Sequence, residues 1–143
     1  MNIWFECKIG YEKTGADGLT KKVSENYLVD AFTFTDAEER ITKEMQPYVS
    51  GSCDVQQVRK SRISELVPSQ SGGKWYRCKM SLISVDEESG TEKRKTEVIM
   101  VQAKNVAEAV VNFHEAIKGN LCDIELTSVS ETNILDVFVY AVN

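Results

Sequence analysis

The strongest constraint on this chain is that most of it is written twice. The run "WFECKIGYEK" starts at Trp4, and "WYRCKMSLISVD" starts 71 positions later at Trp75. In each, side chains alternate. Phe5, Cys7 and Ile9 face one way with Trp4, Glu6 and Lys8 opposite; Tyr76, Cys78, Met80 and Leu82 repeat the pattern against Trp75, Arg77 and Lys79. Period-two alternation ended by a Gly-containing turn ("TGADG", "EESGT") and followed by a second strand-like run predicts a β-hairpin. We place the Phe5 and Tyr76 sets on the core face, which puts both tryptophans on the opposite face.

Each hairpin leads into an amphipathic stretch. Thr35 precedes "DAEERITKEM", with Glu38 placed to complete a capping box and Ala37, Ile41, Met45 and Tyr48 forming an apolar stripe. Asn105 precedes "VAEAVVNFHEAIKG", with Val106, Val110, Phe113 and Ile117 as the stripe and Gly119 as a C-terminal cap. "DAEE" and "VAEA" align at an offset of 70. A third strand follows each helix: "CDVQQVRKSRISELV" matches "CDIELTSVSETNILDVF", setting Glu65 against Asp136 and Leu66 against Val137.

The expected fold is α+β: a β-β-α-β unit made twice with pseudo-two-fold symmetry, its antiparallel sheet or sheets covered by two helices. Repeats 3–67 and 75–142 are joined by the Pro/Ser/Gly segment 68–74. Half of the chain alone would be smaller than most self-sufficient cores, so we expect one compact domain over 1–143.

Composition narrows the function classes. No apolar run of membrane-spanning length occurs, and the start "MNIWFECK" lacks the charged and apolar regions of a signal peptide. Cys7, Cys53, Cys78 and Cys122 form no close pair, so free thiols in the cytoplasm are expected. Such spacings, with His114 as the single histidine, do not suit zinc, and nothing around any cysteine resembles an activated nucleophile. The glycines fall in turns rather than between strand and helix, which excludes a phosphate loop. No catalytic residue, metal or cofactor is expected.

The net charge of −5 repels a phosphate backbone at long range but leaves room for a local basic groove. Arg59, Lys60 and Arg62 on one third strand, with Lys93, Arg94 and Lys95 on the second hairpin, are the candidate nucleic-acid contacts. Lys21 and Lys22 occupy the matching place in the first hairpin. Rings such as Tyr11 beside them would make the cation-and-aromatic surface that single-strand binders use. Trp4 and Trp75, if exposed, are candidate interaction aromatics.

Together, "WFECKIGYEKT", "KKVSENYLVDAFTFTDAEERI", "YVSG", "KWYRCKM" and "SVSETNILDVF" resemble an uncharacterised family of small proteins from Bacteroidales bacteria and their phages or mobile elements, a domain of unknown function. The resemblance covers nearly the whole chain and implies a bacterial or phage setting. It brings no activity, cofactor or site residue. The expected role is a non-enzymatic binding or accessory protein acting on a protein partner or as a homodimer. The alternatives are single-stranded nucleic-acid binding and a small enzyme with a site between the halves.

Overall fold

The computed structural model describes residues 3–49 and 51–140. The outer ends of the expected 1–143 domain, residues 1–2 and 141–143, lie outside the described residues. The first repeat forms β1 (Ile3–Thr14), β2 (Thr20–Ala31), α1 (Phe34–Met45), β3 (Asp54–Ser61) and β4 (Glu65–Val67). The second forms β5 (Lys74–Val85), β6 (Glu92–Ala103), α2 (Val106–Ala116), β7 (Asp123–Glu131) and β8 (Ile134–Phe138). The duplicated β-β-α-β pattern is present in full.

The chain makes two compact units, Met1–Ser61 with Asn133–Asn143, and Arg62–Thr132. Unit 1 holds a sheet of order β3-β1-β2-β8, and unit 2 one of order β4-β6-β5-β7. Three strands of each sheet are antiparallel neighbours, whereas β8 runs parallel to β2 and β4 parallel to β6. The sheets are therefore mixed. What the sequence presents as one third strand is two: it breaks at residues 62–64 in the first repeat and 132–133 in the second. The short piece after each break joins the sheet built by the other repeat.

The reason lies in the second strand of each hairpin. Tyr27, Leu28, Val29, Asp30 and Ala31 are consecutively buried, and so are Ile99, Met100 and Val101. A strand buried on both faces needs hydrogen-bonding neighbours along both edges, because an unpaired backbone group has no water to turn to. The first hairpin strand supplies one edge and the exchanged strand supplies the other.

On the helix side of unit 1, Phe5, Cys7 and Ile9 of β1 meet Tyr27 and Val29 of β2 under Ala37, Ile41 and Met45 of α1. In unit 2, Cys78, Met80, Ile99 and Val101 meet Phe113 of α2, and Tyr76 packs with Ala103 and Ala109. Each large apolar side chain so buried contributes about 1.5–3 kcal/mol. The face away from the helix is buried as well around Trp4 and Leu28, and around Trp75 and Met100. In each hairpin turn a glycine, Gly18 at φ 81° and Gly90 at φ 70°, takes the left-handed conformation that a side chain would strain.

The first helix differs from the sequence expectation in its cap, and the second only in part of its buried face. The N-cap of α1 is Thr33, whose hydroxyl accepts from the Asp36 N–H at 3.0 Å, and Thr35 lies inside the helix. Asp36 stands three residues after Thr33 and Glu38 three after Thr35, and sheet geometry selects the earlier cap because β2 ends at Ala31. The helix ends at Met45, and Tyr48 is exposed rather than part of the stripe. Asn105 does cap α2, accepting from the Glu108 N–H at 2.8 Å. There the buried face is Ala109 and Phe113, while Val106 is exposed. With both caps fixed the helices correspond at an offset of 72, which sets Ala37 with Ala109 and Ile41 with Phe113.

Thr33→Ala is expected to destabilise the protein by about 1 kcal/mol, whereas Thr35→Ala should change stability by less than about 0.5 kcal/mol. Urea denaturation of both variants checks the order, and equal effects would contradict the cap assignment.

Candidate functional site

Most of the basic residues marked by the sequence stand beside carboxylates. Arg59 pairs with Glu6 across β3 and β1 at 2.9 Å. Arg94 of β6 reaches over β5 to Glu125 of β7 at 2.8 Å, with Glu92 at 3.8 Å. Lys93 lies 3.8 Å from Asp86 and Lys95 3.3 Å from Glu97. Four of the six candidate contacts are thus partnered by carboxylates, and Lys60 and Arg62 are left exposed without an ion pair among the described residues. Arg59 and Lys60 also point to opposite faces of their sheet, opposite Glu6 and Phe5. Trp4 is 6% exposed and Trp75 5%, so neither offers a ring at the surface.

A different site lies in unit 1, where the hairpin runs past the end of α1. Tyr11 and Lys13 of β1, Glu25 and Tyr27 of β2, Met45 and Tyr48 at the helix end, and Leu135, Asp136 and Phe138 of β8 line an open cleft of about 440 Å³. The rings of Tyr27 and Phe138 stack with centroids 5.6 Å apart. The Tyr27 hydroxyl donates to Glu25 Oε1 at 3.1 Å. A hydrogen bond to Glu25 also holds the Tyr11 phenol, pushing it up to about 12. Burial, then the Glu25 bond, raises Tyr27 as well. Both rings therefore stay neutral, and Glu25 is ringed by hydroxyls. Tyr48 is 73% exposed at the rim, with Leu135 also exposed.

Unit 2 is an internal control for this cleft. The strand pair Tyr11–Val23 corresponds to Leu82–Lys95, and Cys7–Tyr27 to Cys78–Ile99. Tyr27–Asp136 and Val29–Phe138 correspond to Ile99–Glu65 and Val101–Val67. Tyr48 and Asn120 occupy matching turns, each donating its N–H at 3.0 Å to the carbonyl three residues earlier. The same scaffold is thus built in unit 2 with leucine, isoleucine, valine and asparagine where unit 1 has four aromatic rings. Tyr27 belongs to the buried core of its unit, whereas Tyr48 lies at the surface, so the four rings are not all explained by packing.

A second concavity, about 510 Å³, lies on the other face of the unit 1 sheet and is lined by polar side chains including Glu12, Lys22, Ser24, Asp54 and Gln56. Gln56 crosses β1 above Gly10 and accepts from the Ser24 hydroxyl at 3.1 Å. A Cβ at Gly10 would come within 2.2 Å of the Gln56 amide nitrogen, so only glycine leaves room for that crossing.

Neither buried thiol has the lowered proton affinity of an activated nucleophile. Burial, reinforced by Glu6 and Glu38, pushes Cys7 up to about 12, and burial pushes Cys78 up to about 11. His114 is exposed on α2, its ring against Phe113. No cluster of three metal-ligating side chains occurs among the described residues, and no helix among them is long and apolar enough to cross a membrane.

Fold and site together define a duplicated α+β protein in which one copy of the unit carries an aromatic cleft. The chain belongs to the family described as a domain of unknown function, DUF4494, whose profile matches residues 3–140. No curated protein and no solved structure matches it.

Sequence reasoning marked Tyr11 as a stackable ring, read Tyr48 as core and passed over Tyr27 and Phe138. The available signal was the difference between the two copies, since aromatics in one half stand against aliphatics in the other.

Two measurements check this description. Thiol labelling of the native protein should modify exposed Cys122 first and Cys7 and Cys78 only on unfolding. The raised Tyr11 proton affinity has a defined sign: above the ordinary phenol value of 10 the unfolded chain loses a proton that the folded one keeps. Stability should therefore fall as pH rises from 10 toward about 12, read by denaturant titration. Constant stability over that window would remove the Glu25 hydrogen bond from the account.

Proposed function

We propose that this protein is a non-enzymatic binding or accessory protein that takes its partner in the aromatic cleft of unit 1. One observation carries the reading. Tyr11, Tyr27, Tyr48 and Phe138 are placed around one open cleft by a scaffold that the second copy builds without them. Rings of this kind, apolar in body and polar at the tip, bind partners with little loss of conformational freedom. A bacterial or phage cytoplasm is the setting this reading assumes, in keeping with four cysteines that form no disulfide.

The competing readings have less support. Single-stranded nucleic-acid binding needs unneutralised cations beside stackable rings, and most of the marked cations hold carboxylates. Catalysis by cysteine needs a lowered thiol pKa, and Cys7 and Cys78 are raised. Homodimerisation through outer strands meets a bulge in β3 between its Lys8 and Ile9 pairings, another in β7 between those of Lys79 and Met80, and a third in β8 between those of Asn26 and Tyr27. Such bulges twist an edge away from further pairing.

A panel of cationic, anionic and neutral aromatic fragments, followed by amide NMR shifts, tests the assignment. Shifts are expected at Tyr11, Tyr48 and Leu135. Tyr48→Ala should abolish them while changing stability by less than about 0.5 kcal/mol, since its ring lies at the surface. Shifts confined to the polar concavity around Gln56 would move the site there and end this reading.

A further inference from the structure

The two copies differ in one more respect, which bears on the chemistry of the occupant. In unit 2, Glu97 holds the Lys95 ammonium at 3.3 Å and accepts from the Ser64 hydroxyl at 3.2 Å. In unit 1 the corresponding carboxylate, Glu25, is kept, but the lysine is replaced by Val23. Glu25 has no ion-pair partner among the described residues, and the space beside it is the aromatic cleft. Asp136 adds a second carboxylate, corresponding to Glu65, with one oxygen capped by the Val137 N–H. Among the described residues Lys13 is the one cation in the lining, so there the cleft carries two carboxylates against one ammonium.

We propose that this cleft receives the guanidinium or ammonium group of a basic peptide segment, which supplies to Glu25 the cation that Lys95 supplies to Glu97. The proposal rests on the cleft being the binding site. Aromatic faces attract cations through their ring quadrupoles, and a carboxylate at the base of such a cleft adds a charge-assisted hydrogen bond. Tyr48 at the rim and Phe138, backed by the buried Tyr27 ring, provide those faces. The chain's net charge of −5 favours a basic partner at long range. A peptide is favoured over a small amine by the position of β8. It is the outermost strand of its sheet among the described residues, and it contributes Leu135, Asp136 and Phe138 to the cleft. An extended segment crossing exposed Leu135, the bulged residue of β8, can set one cationic side chain in the cleft while its neighbours rest on that apolar rim.

The test uses the full chain and a short capped peptide of alternating threonine and arginine, its citrulline analogue of the same shape without charge, and free arginine amide. Calorimetry measures affinity and amide NMR shifts locate binding. The arginine peptide is expected to bind at Tyr48, Leu135 and Asp136, and more tightly than arginine amide. Glu25→Gln, which keeps an acceptor for the tyrosine hydroxyls, should weaken it about tenfold. Val23→Lys, which restores the ion pair found in unit 2, should abolish binding and leave the fold intact. Equal binding of the citrulline peptide, unchanged binding in either variant, or displacement by a single-stranded oligonucleotide would overturn the proposal. So would failure of the arginine peptide to bind. If fragments still shift Tyr11 and Tyr48 in that case, the cleft remains the binding site and its ligand class alone is wrong.

Discussion

The rest of the structure depends on the pairing of β2 and β6 along both of their edges. Each carries a run buried on both faces, and an apolar strand of that kind cannot leave one edge to solvent. The hairpin partner covers one side. The other is covered by a strand of three to five residues from the opposite repeat, β8 for β2 and β4 for β6. Once that requirement is met the helices have a complete apolar floor to pack on, and the end of β8 is brought to the open face of the first hairpin. The aromatic cleft exists because β8 arrives there: Phe138 and Asp136 come from the second repeat, Tyr11, Tyr27 and Tyr48 from the first.

Duplication makes the division of roles readable. Residues alike in both copies, such as Cys7 with Cys78, Trp4 with Trp75, and Ala37 with Ala109, are buried and serve the fold. Positions where the copies diverge are mostly at the surface, and there the second copy closes its charges on one another. Arg94 with Glu125 and Lys95 with Glu97 correspond to Lys22 with Asp54 and Val23 with Glu25. The first copy thus keeps polar groups that the second has paired, and surrounds one of them with rings.

The repeat, the hairpins and the core face were legible in the sequence because alternation and turn glycines are local signals. Phe5, Cys7, Ile9, Tyr76, Cys78 and Met80 are all buried as that pattern requires. The helix start was misplaced by two residues because "TFTD" offers two threonines as caps, and only the end of β2 at Ala31 decides between them. The exchange of β4 and β8 could not be read, since edge pairing leaves no periodic mark on a strand of three residues. The cleft was hidden for a related reason. Its residues come from three strands and a helix end, and an aromatic in a strand or helix stripe reads first as core. Tyr48 was misread in that way, and the basic clusters drew attention although their partners Asp86, Glu97 and Glu125 were in view in the sequence.

The origin of β8 also orders events in time. On a chain made from its N-terminus, α1 and the first three strands of unit 1 are available early, yet their sheet lacks its outer strand until synthesis has passed residue 138. Unit 2 draws β4 from upstream and can close as soon as β7 appears. The second unit therefore has all its strands made before the first does, and the walls of the cleft are completed last in the order of synthesis.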